Sequence, residues 1–192
     1  MTPDPERGAT LRADAARNRE RVLRIAREQL AAGDDSLMFN SIARLAGVGV
    51  GTVYRHFPTR QAMLEALLVE RFQHMIGEVR AAAAEEDAVT SLHRLLRLTL
   101  QRMLKDSGFA AVFESDSDAD GRMSAMKGEL ELALTHLLDR AREAGAVRPG
   151  LGADDVRRLI CGIGHAVRIG DDQAKYAEIY LAVLLEGLRP PR

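Results

Sequence analysis

Apolar positions recur every three or four residues along most of this chain and almost never alternate in twos. That period belongs to helices. From about Leu11 to Ala32, Val22, Leu23, Ala26 and Leu30 form an apolar stripe with arginines between them, and Gly33-Asp34-Asp35 ends it. A short helix is expected near Asn40–Ala46 and another over Gly51–Phe57, on either side of Gly47-Val48-Gly49. Pro58-Thr59 opens a long helix that runs to about Glu85, with Thr59 as its cap. In it Leu64, Leu67, Leu68, Phe72, Met75, Ile76 and Val79 share one face. Five more helices are predicted, at about 88–106, 107–115, 122–144, 153–169 and 172–188. The acidic stretch Glu114–Asp120, then Gly145 with Pro149-Gly150, and Gly170-Asp171 punctuate them. The pattern predicts an all-α chain of about nine helices. Residues 1–10, with Pro3, Pro5 and Gly8, read as a flexible tail.

The most informative stretch runs from Ile42 to Phe57. Two short helices flank a tight turn at Gly47, the layout of a helix-turn-helix whose second helix lies in the DNA major groove. Ala43 and Ala46 allow close approach, and Gly47 suits a positive φ. The residues alone also fit a plain helical hairpin with a glycine turn. The spacing Ile42-Ala43, Ala46-Gly47-Val48, Gly51-Thr52, Tyr54 and His56-Phe57, closed by Pro58-Thr59-Arg60, resembles the TetR family of transcriptional regulators. The resemblance is sequence-specific over about residues 11–68. It implies a three-helix DNA-binding domain at 11–58 and a helical ligand-binding and dimerisation domain at 59–192.

By that family's pattern Val50, Gly51, Thr52 and Arg55 lie nearest the bases or adjoining phosphates, and Tyr54 and His56 reach phosphate oxygens. Arg60 stands where the family places a phosphate-binding lysine, and a helix N-terminus already favours an anion. Asn40 opens the second helix and suits adenine. One departure is that Met38 and Phe39 stand where the family usually carries Ser or Thr, so no phosphate contact is expected from Met38. Arg12, Arg17 and Arg19 could form an arm over the minor groove or simply a solvated face. The family's regulators are mostly repressors that bind a palindromic operator as dimers and leave it on binding a small molecule. The rival reading is a helical small-molecule-binding or scaffold protein without operator binding.

In the second half, the last helix is apolar nearly all round and needs cover on two sides. The dimer interface is therefore expected through Leu181, Leu185 and Leu188, together with the small residues Cys161, Gly162 and Gly164 of the preceding helix. A ligand pocket is expected among Phe72, Met75, Leu96, Leu100 and Met103. Phe109, Phe113, Met126, Leu130 and His165 complete it, and the effector's identity is not legible. Asp116-x-Asp118-x-Asp120-Gly121 matches the first half of a calcium loop, but Lys127 stands where a bidentate Glu is required, so a solvated acidic loop is the better reading.

Composition sharpens this picture. The 192 residues carry 27 Lys+Arg against 28 Asp+Glu, a net charge of −1 that, taken as a total, argues against a nucleic-acid partner. The charge is segregated: residues 12–60 hold nine Arg against five acidic residues, and residues 61–192 hold 17 basic against 21 acidic. A basic head and an acidic body are compatible with phosphate binding. One cysteine excludes a disulfide framework and a Cys-based zinc site. There is no triad order, phosphate-binding glycine loop or metal-spaced histidine pair, so neither enzymatic activity nor a cofactor is expected. The absence of a long apolar run or leader points to a cytoplasmic protein without membrane association.

Overall fold

The computed structural model describes residues 5–34, 36–119 and 121–191. Among them every regular element is helical: α1 (Pro5–Ala31), α2 (Phe39–Ala46), α3 (Val50–His56), α4 (Arg60–Ala84), α5 (Ala88–Lys105), α6 (Ser107–Glu114), α7 (Gly121–Glu143), α8 (Ala153–Arg168) and α9 (Gln173–Leu188). The all-α expectation is met. Helix α1 begins at Pro5, where the pattern placed a tail to residue 10, because proline is well tolerated in a first helical turn. Residues 1–4 lie outside the described residues.

The chain divides into two compact units at Leu67/Leu68. The first is built around the apolar stripes of α1, α2 and α3. Val22, Leu23 and Ala26 of α1 meet Ile42, Ala43 and Ala46 of α2, Val53 of α3 and Phe57, all buried. Arg19 lays its guanidinium 5.3 Å from the centre of the Phe57 ring. Leu37, in the loop before α2, sits at φ +48° with its side chain 2% exposed. Burial holds a bulky residue in a region that costs about 1–2 kcal/mol.

The second unit packs around α5, whose inner face carries Leu92, Leu95, Leu96, Leu100 and Met103. Helices α6, α7, α8 and α9 all lie against it. Their starts are set by local chemistry. Asp87, Asp106 and Asp172 accept backbone N–H bonds from Thr90 (2.9 Å), Phe109 (2.9 Å) and Lys175 (3.1 Å), and so cap α5, α6 and α9. Helix α4 is tied to α5 by a bidentate pair from Arg102 to Glu78 at 2.5 and 2.6 Å. Arg140 of α7 donates to the carbonyls of Ala83 (2.6 Å) and Glu86 (3.2 Å) and so closes the end of α4.

Candidate functional site

The turn between α2 and α3 is a Schellman motif. The Gly47 N–H donates to the Arg44 carbonyl at 3.2 Å and the Val48 N–H to the Ala43 carbonyl at 3.0 Å, with Gly47 at φ +63°. Two residues later Gly49 caps the start of α3, and its carbonyl accepts the Thr52 N–H at 2.8 Å. Val53 and Phe57 anchor α3 to the core. The register this imposes leaves Val50, Gly51, Tyr54 and Arg55 exposed together. Thr52 and His56 are half-buried at the edges of that face, and Arg60 is exposed in the first turn of α4.

Tyr54 is 54% exposed, yet its ring stands edge-on to Phe39 of α2 at 5.0 Å. Phe39 thus braces the tyrosine ring on the surface. Asn40, the second residue of α2, is exposed, and Met38 precedes the helix without any side-chain cap. The His56 imidazole titrates below the ordinary histidine range, chiefly because it is partly desolvated and then because Arg19 and Arg55 repel its charged form. Arg17 and Arg19 lie on helix α1, not on an extended arm, and Arg17 pairs with Asp14. The Arg12 side chain lies outside the described residues. Arg44 is also exposed, in the last turn of α2, and it carries no motif signal. Its position becomes visible only once the turn is built.

The second unit contains a cavity of about 320 Å³. Of the residues expected to form a pocket, Met75, Leu96, Phe113 and Leu130 line it. Phe72, Leu100, Met103, Phe109 and Met126 do not; they are buried in the ordinary core, where Phe109 stacks on Phe113 at 5.6 Å and the Phe72 ring lies tilted against both, 5.6 and 6.5 Å away. His165 is exposed and absent from the lining, because it lies on the opposite side of α8 from Val156 and Ile160. The polar lining includes Thr99, Asp118, Lys127 and Arg157. Thr99 is the residue whose sequence signal was readable, as a hydroxyl set within the apolar stripe of α5.

The half calcium loop is engaged otherwise. The Lys127 ammonium donates to Asp118 at 2.6 Å and to the Ser115 carbonyl at 2.7 Å, and Ser124 donates to Asp118 at 3.0 Å. Asp116 accepts from Arg157 at 2.9 Å. Asp120 lies outside the described residues.

Of the residues expected at a dimer interface on α8 and α9, Leu181, Leu188 and Gly164 face the interior of the chain instead. Leu181 and Leu188 are buried within the chain, with Leu184 between them, and Leu185 is half-buried. Gly164 is buried too: a Cβ there would come 3.1 Å from Met103 Cε, so the glycine serves packing inside the chain. Gly162 is exposed and Cys161 half-buried, its thiol pushed up to about 11 by desolvation. The large apolar residues left outward are Leu159, Ile179 and Val183, with Ile169 after α8.

The N-terminal family model of the tetR bacterial regulatory proteins matches residues 22–67, and the C-terminal domain model of SbtR-like transcriptional regulators matches residues 87–190. A solved TetR regulatory protein from Mycobacterium vanbaalenii is 32% identical, covering 94% of this chain and 99% of that one, with a TM-score of 0.52. The TetR regulator SCO0520 of Streptomyces coelicolor is 30% identical over 91% and 99% of the two chains, with a TM-score of 0.56. The HTH-type transcriptional regulator SAR0097 of Staphylococcus aureus shares 33% identity over 76 residues, 38% of this chain. The chain spans 40 to 60% of the length of the curated relatives it matches. Matches to both halves, on a helix-turn-helix with an exposed polar face, make this chain a member of the TetR family and a DNA-binding transcriptional regulator.

Proposed function

We propose that this regulator is a repressor that binds a palindromic operator as a homodimer and is released by a small molecule. The observation that carries the reading is the outer face of α3. Val53 and Phe57 fix the helix by its inner side, while Tyr54 and Arg55 stand exposed beside Val50 and Gly51. In this reading residues 11–58 read the DNA and residues 59–192 sense and pair. Arg55 and Asn40 meet base edges and Val50 meets a thymine methyl. Gly51 and Thr52 let the helix approach closely, and Tyr54, His56 and Arg60 fix it on phosphates. Such a protein works in the cytoplasm, beside the chromosome.

Pairing uses the outward residues of α8 and α9, Leu159, Ile179 and Val183, since the inner faces of the two helices are spent on each other and on α5. A two-fold interface of this kind offers two recognition helices to two half-sites. The cavity in the second unit is the effector site. A ligand that binds the DNA-incompetent form more tightly shifts the population away from the operator.

The test is fluorescence anisotropy with DNA from the gene's own upstream region. Wild type is expected to prefer it over random sequence, and Arg55→Ala to weaken it about tenfold or more, a loss of roughly 1–3 kcal/mol for a bidentate base contact. Equal affinity of wild type for both DNAs sinks the proposal.

A further inference from the structure

We propose that the cavity takes a compact, uncharged, largely apolar molecule bearing one hydroxyl, and that Thr99 is the hydrogen-bond partner of that hydroxyl. This rests on the reading of the cavity as the effector site.

At about 320 Å³ the space is small for a ligand pocket. Its inner wall is Met75, Val79, Leu95, Leu96, Phe113 and Leu130. Thr99, 6% exposed, stands in the same wall and brings a hydroxyl to it. A hydroxyl held among apolar groups gains most from a ligand that completes its hydrogen bond.

The charged groups at the rim, by contrast, already have partners. Lys127 holds Asp118, whose side chain is 7% exposed, and Arg157 holds Asp154 at 2.8 Å and Asp116 at 2.9 Å. A charged ligand that takes Lys127 leaves the buried Asp118 carboxylate uncompensated, and one that takes Arg157 must displace Asp116 or Asp154. Carboxylates also outnumber cations in the lining, with Asp116, Asp118, Glu131 and Asp154 against Lys127 and Arg157, so an anion meets repulsion. A cation would find Glu131, which is exposed to water, where an ion pair contributes little. What remains favoured is a neutral ring or short branched skeleton with one hydroxyl aimed at α5.

Three probes share one skeleton: naphthalene, 2-naphthol and 2-naphthoate. The chain has no Trp, so the probe's own fluorescence reports binding. Wild type is expected to bind 2-naphthol about tenfold more tightly than naphthalene, the weight of one well-made hydrogen bond, and to bind 2-naphthoate most weakly. Thr99→Val, which keeps the shape, should reduce 2-naphthol to the level of naphthalene and leave naphthalene unchanged. Thr99→Ser should restore the preference. Tightest binding by 2-naphthoate, no binding by any probe, or an unaltered preference in Thr99→Val overturns the inference. The same titrations run on the preformed operator complex separate the two layers. If 2-naphthol binds through Thr99 without releasing DNA, the effector reading fails and the ligand class stands. If 2-naphthoate binds tightest and releases DNA, the ligand class fails and the effector reading stands.

Discussion

Gly47→Ala and Gly51→Ala add the same methyl group four residues apart, and the structure assigns them opposite signs. Gly47 sits at φ +63°, and a Cβ built there meets nothing within 4 Å. Steric crowding is therefore absent, and the whole cost is that of placing an L-residue in the left-handed region, about 1–2 kcal/mol. Gly51 lies in the first turn of α3 at ordinary helical angles, also with nothing within 4 Å. Alanine there recovers part of the helix penalty of glycine, about 0.5 kcal/mol so close to a helix end. Urea unfolding followed by far-UV circular dichroism, at one fixed protein concentration, should show the variants about 2 kcal/mol apart on opposite sides of wild type. Gly47→Asn should lose less than Gly47→Ala, because asparagine tolerates the left-handed conformation. The reasoning fails if Gly47→Ala is neutral or if Gly51→Ala is the more destabilised of the two. A second readout concerns DNA. Gly51→Ala should bind operator more weakly than wild type although it is more stable, since its methyl group projects from the exposed face of α3.

Three further outcomes are expected. The His56 imidazole is held neutral at pH 7 by partial desolvation and by Arg19 and Arg55, and a phosphate contact would restore its charged form. The DNA complex then binds more protons than the free protein, so operator affinity should rise as pH falls from about 7 to about 6, the range of histidine titration. His56→Gln should flatten that slope, and an equal slope in both proteins refutes the contact. In the free protein the sign reverses: the unfolded chain takes up the proton first, so stability falls as pH drops below the ordinary histidine value of 6.5. Val183, 67% exposed on α9, becomes in Val183→Asp a charge at the proposed two-fold interface. Sedimentation should then show monomer with unchanged helix content, and a dimer of undiminished affinity refutes the interface. Lys127→Met leaves the buried Asp118 carboxylate without its cation and should cost about 3 kcal/mol in thermal or urea unfolding. Adding Asp118→Leu should recover most of that loss, and no recovery would show that the pair is not the cause.

The helices were legible because their starts and stops are local events. The Thr59 hydroxyl accepts the Ala62 N–H at 3.1 Å, and α4 begins where that residue type implied. Gly47 ends α2 in the one conformation for which glycine is favoured. The helix-turn-helix was legible for the same reason: its turn, its packing alanines and its outward polar residues fall within one short stretch of chain. The start of α1 was less so, since Pro3, Pro5 and Gly8 read as loop when proline in fact opens the first turn.

What the sequence by itself determined about this protein is therefore what the chain decides with near neighbours: helical period, caps, the glycine turn and the basic head with its acidic body. Tertiary structure decided what depends on residues distant in sequence. On α9 both faces are apolar, so periodicity could not choose between Leu181 with Leu188 and Ile179 with Val183; packing on α8 and α5 put the first pair inside. Met75 and Phe72 share one stripe on α4, yet only Met75 borders the cavity, because a void is defined by what the facing helices fail to fill. Leu37 is held at φ +48° by a core that repays its strain, which no propensity of leucine would suggest. Burial is a property of pairs of surfaces, and a single chain pattern specifies only one of them.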